Sequence, residues 1–180
     1  MTRMVAASLA TATVAVASIA APAAADPGRI SAGPLSFARS ALPGWTVQAP
    51  AADGSVLAAV DLPGRNWASM VEIGTTGGDG RSATDIARAM ALSAPSASGY
   101  KGHSARVVGL QVTPMTVSGV PAARATARVE VNGAPVSGDR YRVVVVGTTP
   151  QTYFVSAVPS EAPDRAMQAD AAEAGLVAGR

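Results

Sequence analysis

Four glycines in seven residues, Gly74, Gly77, Gly78 and Gly80, stand directly ahead of a segment with helical spacing in the stretch GTTGGDGRSATDIARAM. Backbone amides in such loops cradle phosphates, so nucleotide binding is the first chemistry to test. The spacing does not fit it. A Walker loop needs G-x-x-x-x-G-K-[ST], whose lysine reaches the terminal phosphates and whose hydroxyl holds magnesium. Here Gly74 and Gly80 frame the wrong interval, and Arg81-Ser82 follows in place of Lys-Ser. The dinucleotide pattern G-x-G-x-x-G is also missing. The same residues fit a helix start, with Ser82 accepting from the amide of Asp85 and the Asp85 carboxylate complementing the helix dipole. Ile86, Ala89 and Met90 then form the expected buried stripe, leaving Asp85 and Arg88 in solvent.

Hydrolytic chemistry lacks an obvious constellation. The chain has one histidine, His103, and no cysteine. A general base needs a partner and a neighbouring nucleophile, a zinc site needs three or four ligands, and no G-x-S-x-G elbow presents a serine. His103, in the polar stretch SGYKGHSARV, is expected to be an exposed loop residue. The twelve acids are scattered singly, and Asp53, Asp61 and Asp79 each adjoin glycine or proline, the company of turn residues. Neither a catalytic residue nor a metal or cofactor site is assigned. An envelope hydrolase working through dispersed Ser, Asp or Glu residues is the alternative kept.

Four arginines, Arg124, Arg128, Arg140 and Arg142, fall on what would be the outward faces of two adjacent strands and form a candidate patch for an anionic ligand. Glu130 lies on the same face and Asp139 at the hairpin end, so a solvated face with cross-strand ion pairs is the simpler and preferred expectation. Nucleic acid is excluded as a partner by the small net charge and by an aromatic content of only 4%.

The elements that must position these residues are short. Prolines recur through the chain with apolar segments between them, which suits strands joined by turns. Ser55–Leu62 and Trp67–Gly74 flank the turn PGRN. In AARATARVEV, residues 123, 125, 127, 129 and 131 share one face and Arg124, Thr126, Arg128 and Glu130 the other, the mark of a half-buried strand. Strands are also expected over Val107–Val117, in DRYRVVVVG and over Gln151–Val158, the short connections returning the chain antiparallel. Helices are expected over Ala83–Ser93 and Glu161–Ala178, the second capped by Ser160 and burying Met167, Ala171, Ala174 and Ala178. The order β-β-β-α-β-β-β-β-α gives an α+β fold with a mostly antiparallel sheet packed by helices.

The first residues, MTRMVAASLATATVAVASIAAPAAADPG, read as a secretory signal peptide: one cation, Arg3, then an apolar run and a small-residue cleavage region. Cleavage is expected between Ala25 and Asp26. With no cysteine to carry a lipid, no stable membrane anchor follows. The mature chain is then a secreted or cell-wall protein of 155 residues holding thirteen cations against twelve acids. Without disulfides it must be stabilised by an ordinary apolar core. Residues 26–34 are expected to be a flexible leader and residues 35–180 a single α+β domain.

Leu42-Pro43-Gly44-Trp45, the turn in TVSGVPAARATARVEVNG and the valine-rich strand after it resemble the PsbP-like group of secreted proteins. In particular they are similar to the actinobacterial LpqN-type lipoproteins and to the folded domain of the alanine- and proline-rich secreted antigens. The resemblance spans about Leu35 to Ala178. It implies an α-β-α sandwich around an antiparallel sheet, no common catalytic residues, and accessory, adaptor or ligand-binding roles at membranes and in the bacterial envelope. The chain departs from the LpqN type in lacking the lipid-bearing cysteine, and from the antigens in lacking their long proline-rich stretch. The function expected is an exported, non-enzymatic binding or accessory protein of the cell envelope. Its partner is an unidentified envelope lipid, glycan or protein, its oligomeric state is open, and antigen-like surface adhesion is a further alternative.

Overall fold

The computed structural model describes residues 28–77 and 80–179. The expected signal peptide and its expected Ala25–Asp26 junction lie outside them, as do Gly78 and Asp79 of the glycine loop. Ten strands and two α-helices run in the order β1 (Arg29–Ala32), β2 (Leu35–Ala38), β3 (Thr46–Val47), β4 (Val56–Asp61), β5 (Ala68–Thr75), α1 (Ala83–Ser93), β6 (Ser104–Val117), β7 (Val120–Asn132), β8 (Gly138–Val146), β9 (Thr152–Pro159), α2 (Pro163–Ala174) and β10 (Val177–Ala178). Seven strands form one antiparallel sheet in the order β3-β4-β5-β9-β8-β7-β6, and β1, β2 and β10 form a small second sheet. This is the expected α+β class.

The meander β6–β9 follows the alternation in the sequence. β6 and β7 are joined by the two-residue turn Ser118-Gly119, both at positive φ, which matches the twist of a tight hairpin. Odd residues of β7 point to one side, where Ala123 and Ala125 pack with Val143, Val145 and Val155 under Ile86, Ala87 and Ala91 of α1. Small side chains here let the helix backbone come close to the sheet. Ser82 caps α1 as expected, accepting from the amide of Asp85 at 3.1 Å and donating to its carboxylate at 2.6 Å. The buried stripe is rotated by one position, to Ile86, Ala87 and Ala91, with Ala89 and Met90 only half-buried.

The opposite face of the sheet carries the larger core, where Phe154, Val144 and Val158 meet the small sheet and α2, with Phe37 edge-on to Phe154 at 5.8 Å. The L-P-G-W turn docks α2: Trp45 is buried and its Nε1 donates to Gln168 at 2.6 Å.

Four local expectations are corrected. The leader is part of the fold from Arg29, because Ile30 and Ala32 bury their side chains as β1 pairs with β2. The last helix ends at Ala174, since Gly175 breaks it and Val177–Ala178 pair instead with β2. It buries Ala169, Ala172 and Glu173, while Met167 is 64% exposed. Ser160 does not cap it; its hydroxyl donates to the carbonyl of Gly138. Alanine-rich helices carry little apolar contrast, so the stripe was decided by docking rather than by periodicity.

Candidate functional site

The sheet is seven strands wide, and α1 covers only the β6–β8 side of one face. Over β4, β5 and β9 that face is left open. Its floor follows from register: Ala59, Met70, Ala157 and Tyr141 lie in one cross-strand row, and Leu57, Glu72, Val155 and Val143 in the next. Successive rows are about 7 Å apart along the strands. Ala59, Ala68 and Ala157 are too short to fill the space, and the result is an open groove of about 700 Å³. That volume lies in the range of small-molecule sites.

One wall is built by the chain that leaves α1, through two short 3₁₀ turns at Ala94–Ser96 and Ser98–Tyr100. Tyr100 is buried and its hydroxyl donates to Asp139 at 2.7 Å, while the indole of Trp67, from the β4–β5 turn, donates to the other oxygen of Asp139 at 3.1 Å. Asp139 is only 2% exposed. Burial pushes its carboxyl above the ordinary range, opposed by the bonds from Tyr100 and Trp67. Burial, and then the Asp139 charge, pushes the Tyr100 phenol far up. On the other side Tyr153 donates a short hydrogen bond to Glu72. The Tyr153 phenol is raised by burial and by that carboxylate, and Tyr141 is pushed up to about 12 by burial and by Glu72.

All three tyrosines of the chain, one of its two tryptophans and its single histidine line this groove. In a chain with so few aromatics, that concentration marks the site. His103 corrects an expectation: it is half-buried, its ring 5.6 Å from that of Trp67, edge to face. Asp61 also lines the groove, whereas Asp53 is a turn residue as expected, accepting from the amide of Ser55 at 2.9 Å.

Arg124, Arg140 and Arg142 are on the opposite face, brought together under α2. Arg140 and Arg142 meet Asp170 at 2.5 and 2.7 Å, and Arg142 meets Glu173 at 3.1 Å. Arg124 Nε stands 2.5 Å from Glu173, an ion pair held by charge because its angles fall outside hydrogen-bond geometry. Arg128, the cross-strand partner of Arg140, takes no part in these ion pairs and donates to Ser137 at 3.2 Å. The acids expected as cross-strand partners are elsewhere: Glu130 pairs with Arg106, and Asp139 faces the groove. The three arginines therefore meet a helix and are only partly open to solvent.

Among the described residues no group of three or more His, Cys, Asp or Glu is placed to hold a metal, and no helix is long and apolar enough to cross a membrane. No protein-family model matches the chain, and no curated protein matches it in sequence. Its backbone does match a solved structure, the solution structure of cyanobacterial PsbP (CyanoP) from Synechocystis sp. PCC 6803, with a TM-score of 0.54 over 88% of this chain and 97% of that one, at 16% identity. The fold is PsbP-like. The PsbP-like sheet is thus covered unevenly here, with its open half carrying the polar aromatics.

Sequence reasoning missed the groove. The alternation in DRYRVVVVG puts Tyr141 on one face with Val143 and Val145, but Trp67, Tyr100 and Tyr153 come from three other parts of the chain. Their wide separation along the chain leaves no local signal that would have brought them together.

Proposed function

We propose that the protein is an exported, non-enzymatic binding or accessory protein of the bacterial cell envelope, and that its ligand enters the groove over β4, β5 and β9. The observation that carries this reading is the convergence of Trp67, Tyr100, Tyr141, Tyr153 and His103 on one concavity. Aromatic rings with a few fixed polar groups are the usual lining of ligand sites. Export rests on the leader sequence alone. The narrower likeness to LpqN-type lipoproteins and to the secreted antigens belongs to the same proposal and rests on the L-P-G-W and V-S-G-V-P-A turns. The groove is preferred to the arginine face because three of those four guanidiniums are already compensated by Asp170 and Glu173.

The test is capture from an envelope extract by the chain beginning at Asp26, with mass spectrometry for small molecules, lipids and glycans. A Trp67→Ala/Tyr153→Ala variant runs in parallel. A compound retained by the wild type and lost from the variant supports the reading; equal retention by both overturns it. N-terminal sequencing of the protein from culture medium or cell wall should start at Asp26, and retention of Met1 would remove the case for export.

A further inference from the structure

The two faces of the sheet treat charge in opposite ways. Under α2, Asp170 and Glu173 are matched by arginines within 3.1 Å, and at the far edge Glu130 is matched by Arg106. In the groove, Asp61, Glu72 and Asp139 are lining residues, and among the described residues none of the three is in an ion pair. Among the described residues the only lysine or arginine lining it is Lys101, which is exposed. The carboxylates are held instead by aromatic donors, Glu72 by Tyr153 and Asp139 by Tyr100 and Trp67.

That arrangement has a chemical consequence. A phenol or indole that donates its proton toward an anion has a more electron-rich ring, so its face attracts cations more strongly. The groove is therefore lined by carboxylates and aromatic rings together, in a part-desolvated space where both act at short range. The negative field is felt by its own phenols, since Glu72 contributes to the upward shifts of Tyr141 and Tyr153. An anion would be repelled, and a neutral apolar molecule would leave the carboxylates uncompensated.

We propose, resting on the groove reading above, that the ligand is a small organic cation: an ammonium group carried on a compact apolar body, the charge set against Glu72 and the rings of Tyr141 and Tyr153, the body on the alanine floor. Such a ligand answers both halves of the lining, the acids and the apolar sheet.

Three probes of similar size separate the terms: benzyltrimethylammonium, benzyl alcohol and benzenesulfonate. Each is titrated by calorimetry into the chain from Asp26 onward, which carries every described residue. Benzyltrimethylammonium should bind at least tenfold more tightly than either other probe. Glu72→Gln should weaken it about tenfold, as should Tyr153→Leu, with circular dichroism establishing that each variant is folded. Tyr141→Leu is the second variant should Glu72→Gln fail to fold. Equal or tighter binding of benzyl alcohol or benzenesulfonate, lost in Tyr153→Leu, overturns the cationic ligand while leaving the groove as the binding site. Binding of none of the three overturns the inference, and the capture experiment then decides the groove reading by itself.

Discussion

Tyr153 lies across Gly74, its hydroxyl 2.5 Å from where a Cβ on residue 74 would stand. The two are cross-strand partners between β5 and β9. The first glycine of the loop thus leaves room for a ring that would otherwise be pushed off the sheet, and from there the phenol reaches Glu72. Gly74 is a platform for the groove, and the phosphate question that its neighbours raise is answered by Ser82, which caps α1 with its own side chain.

Gly74→Ala should keep the fold but displace the ring, because the methyl and the phenol cannot share the space. A loss of roughly 1–3 kcal/mol is expected from overpacking. Denaturant titration measures it, and the tyrosine ring signals in NMR report the broken contact with Glu72. A variant as stable as the parent with an unmoved ring would contradict this packing.

Asp139 gives a pH dependence whose sign is fixed. Its folded carboxyl titrates above the ordinary 3.8 because of burial. The native state therefore holds a proton that the unfolded chain has released, and stability falls as pH rises from 3.8 through the raised value. Asp139→Asn removes this dependence while its amide oxygen can still accept from Trp67. The difference in stability between wild type and variant should shift toward the variant across that window. A difference constant with pH in the same window would refute the assignment.

Glu173 is the buried anchor between α2 and the sheet, its side chain 3% exposed and shared by Arg124 and Arg142. Glu173→Ala leaves two guanidiniums without their acid. Removing one partner of a fully buried pair costs 3–5 kcal/mol, and both arginines here reach some water, so about 2 kcal/mol is expected. Replacing Arg124, Arg128, Arg140 and Arg142 together by glutamine should likewise destabilise the fold. Unfolding midpoints at low and high salt check both, and a quadruple variant of unchanged stability would return the arginines to the role of a free anion patch.

Ala125 and Thr126 separate the two faces of β7. Ala125 is fully buried beneath α1, so Ala125→Leu should cost roughly 1–3 kcal/mol. Thr126 is half-buried on the other face, and Thr126→Val should stay within roughly 0.5 kcal/mol or gain slightly, since β-branched residues suit strands. Midpoints at constant slope in denaturant make the comparison.

What the sequence determined by itself is local and periodic. The alternation in AARATARVEV, the short turns after it and the S-x-x-D start of α1 set the meander and its helix, because period and capping are properties of neighbours along the chain. Tertiary structure decided the rest. β1 looked like a leader because a four-residue strand has no pattern of its own and gains its hydrogen bonds only by pairing with β2. The register of α2 needed Arg124 and Arg142 beneath Glu173. The groove exists because one helix covers less than the width of a seven-stranded sheet, and its lining meets only when four strands and the loop after α1 are assembled, contacts that no local spacing encodes.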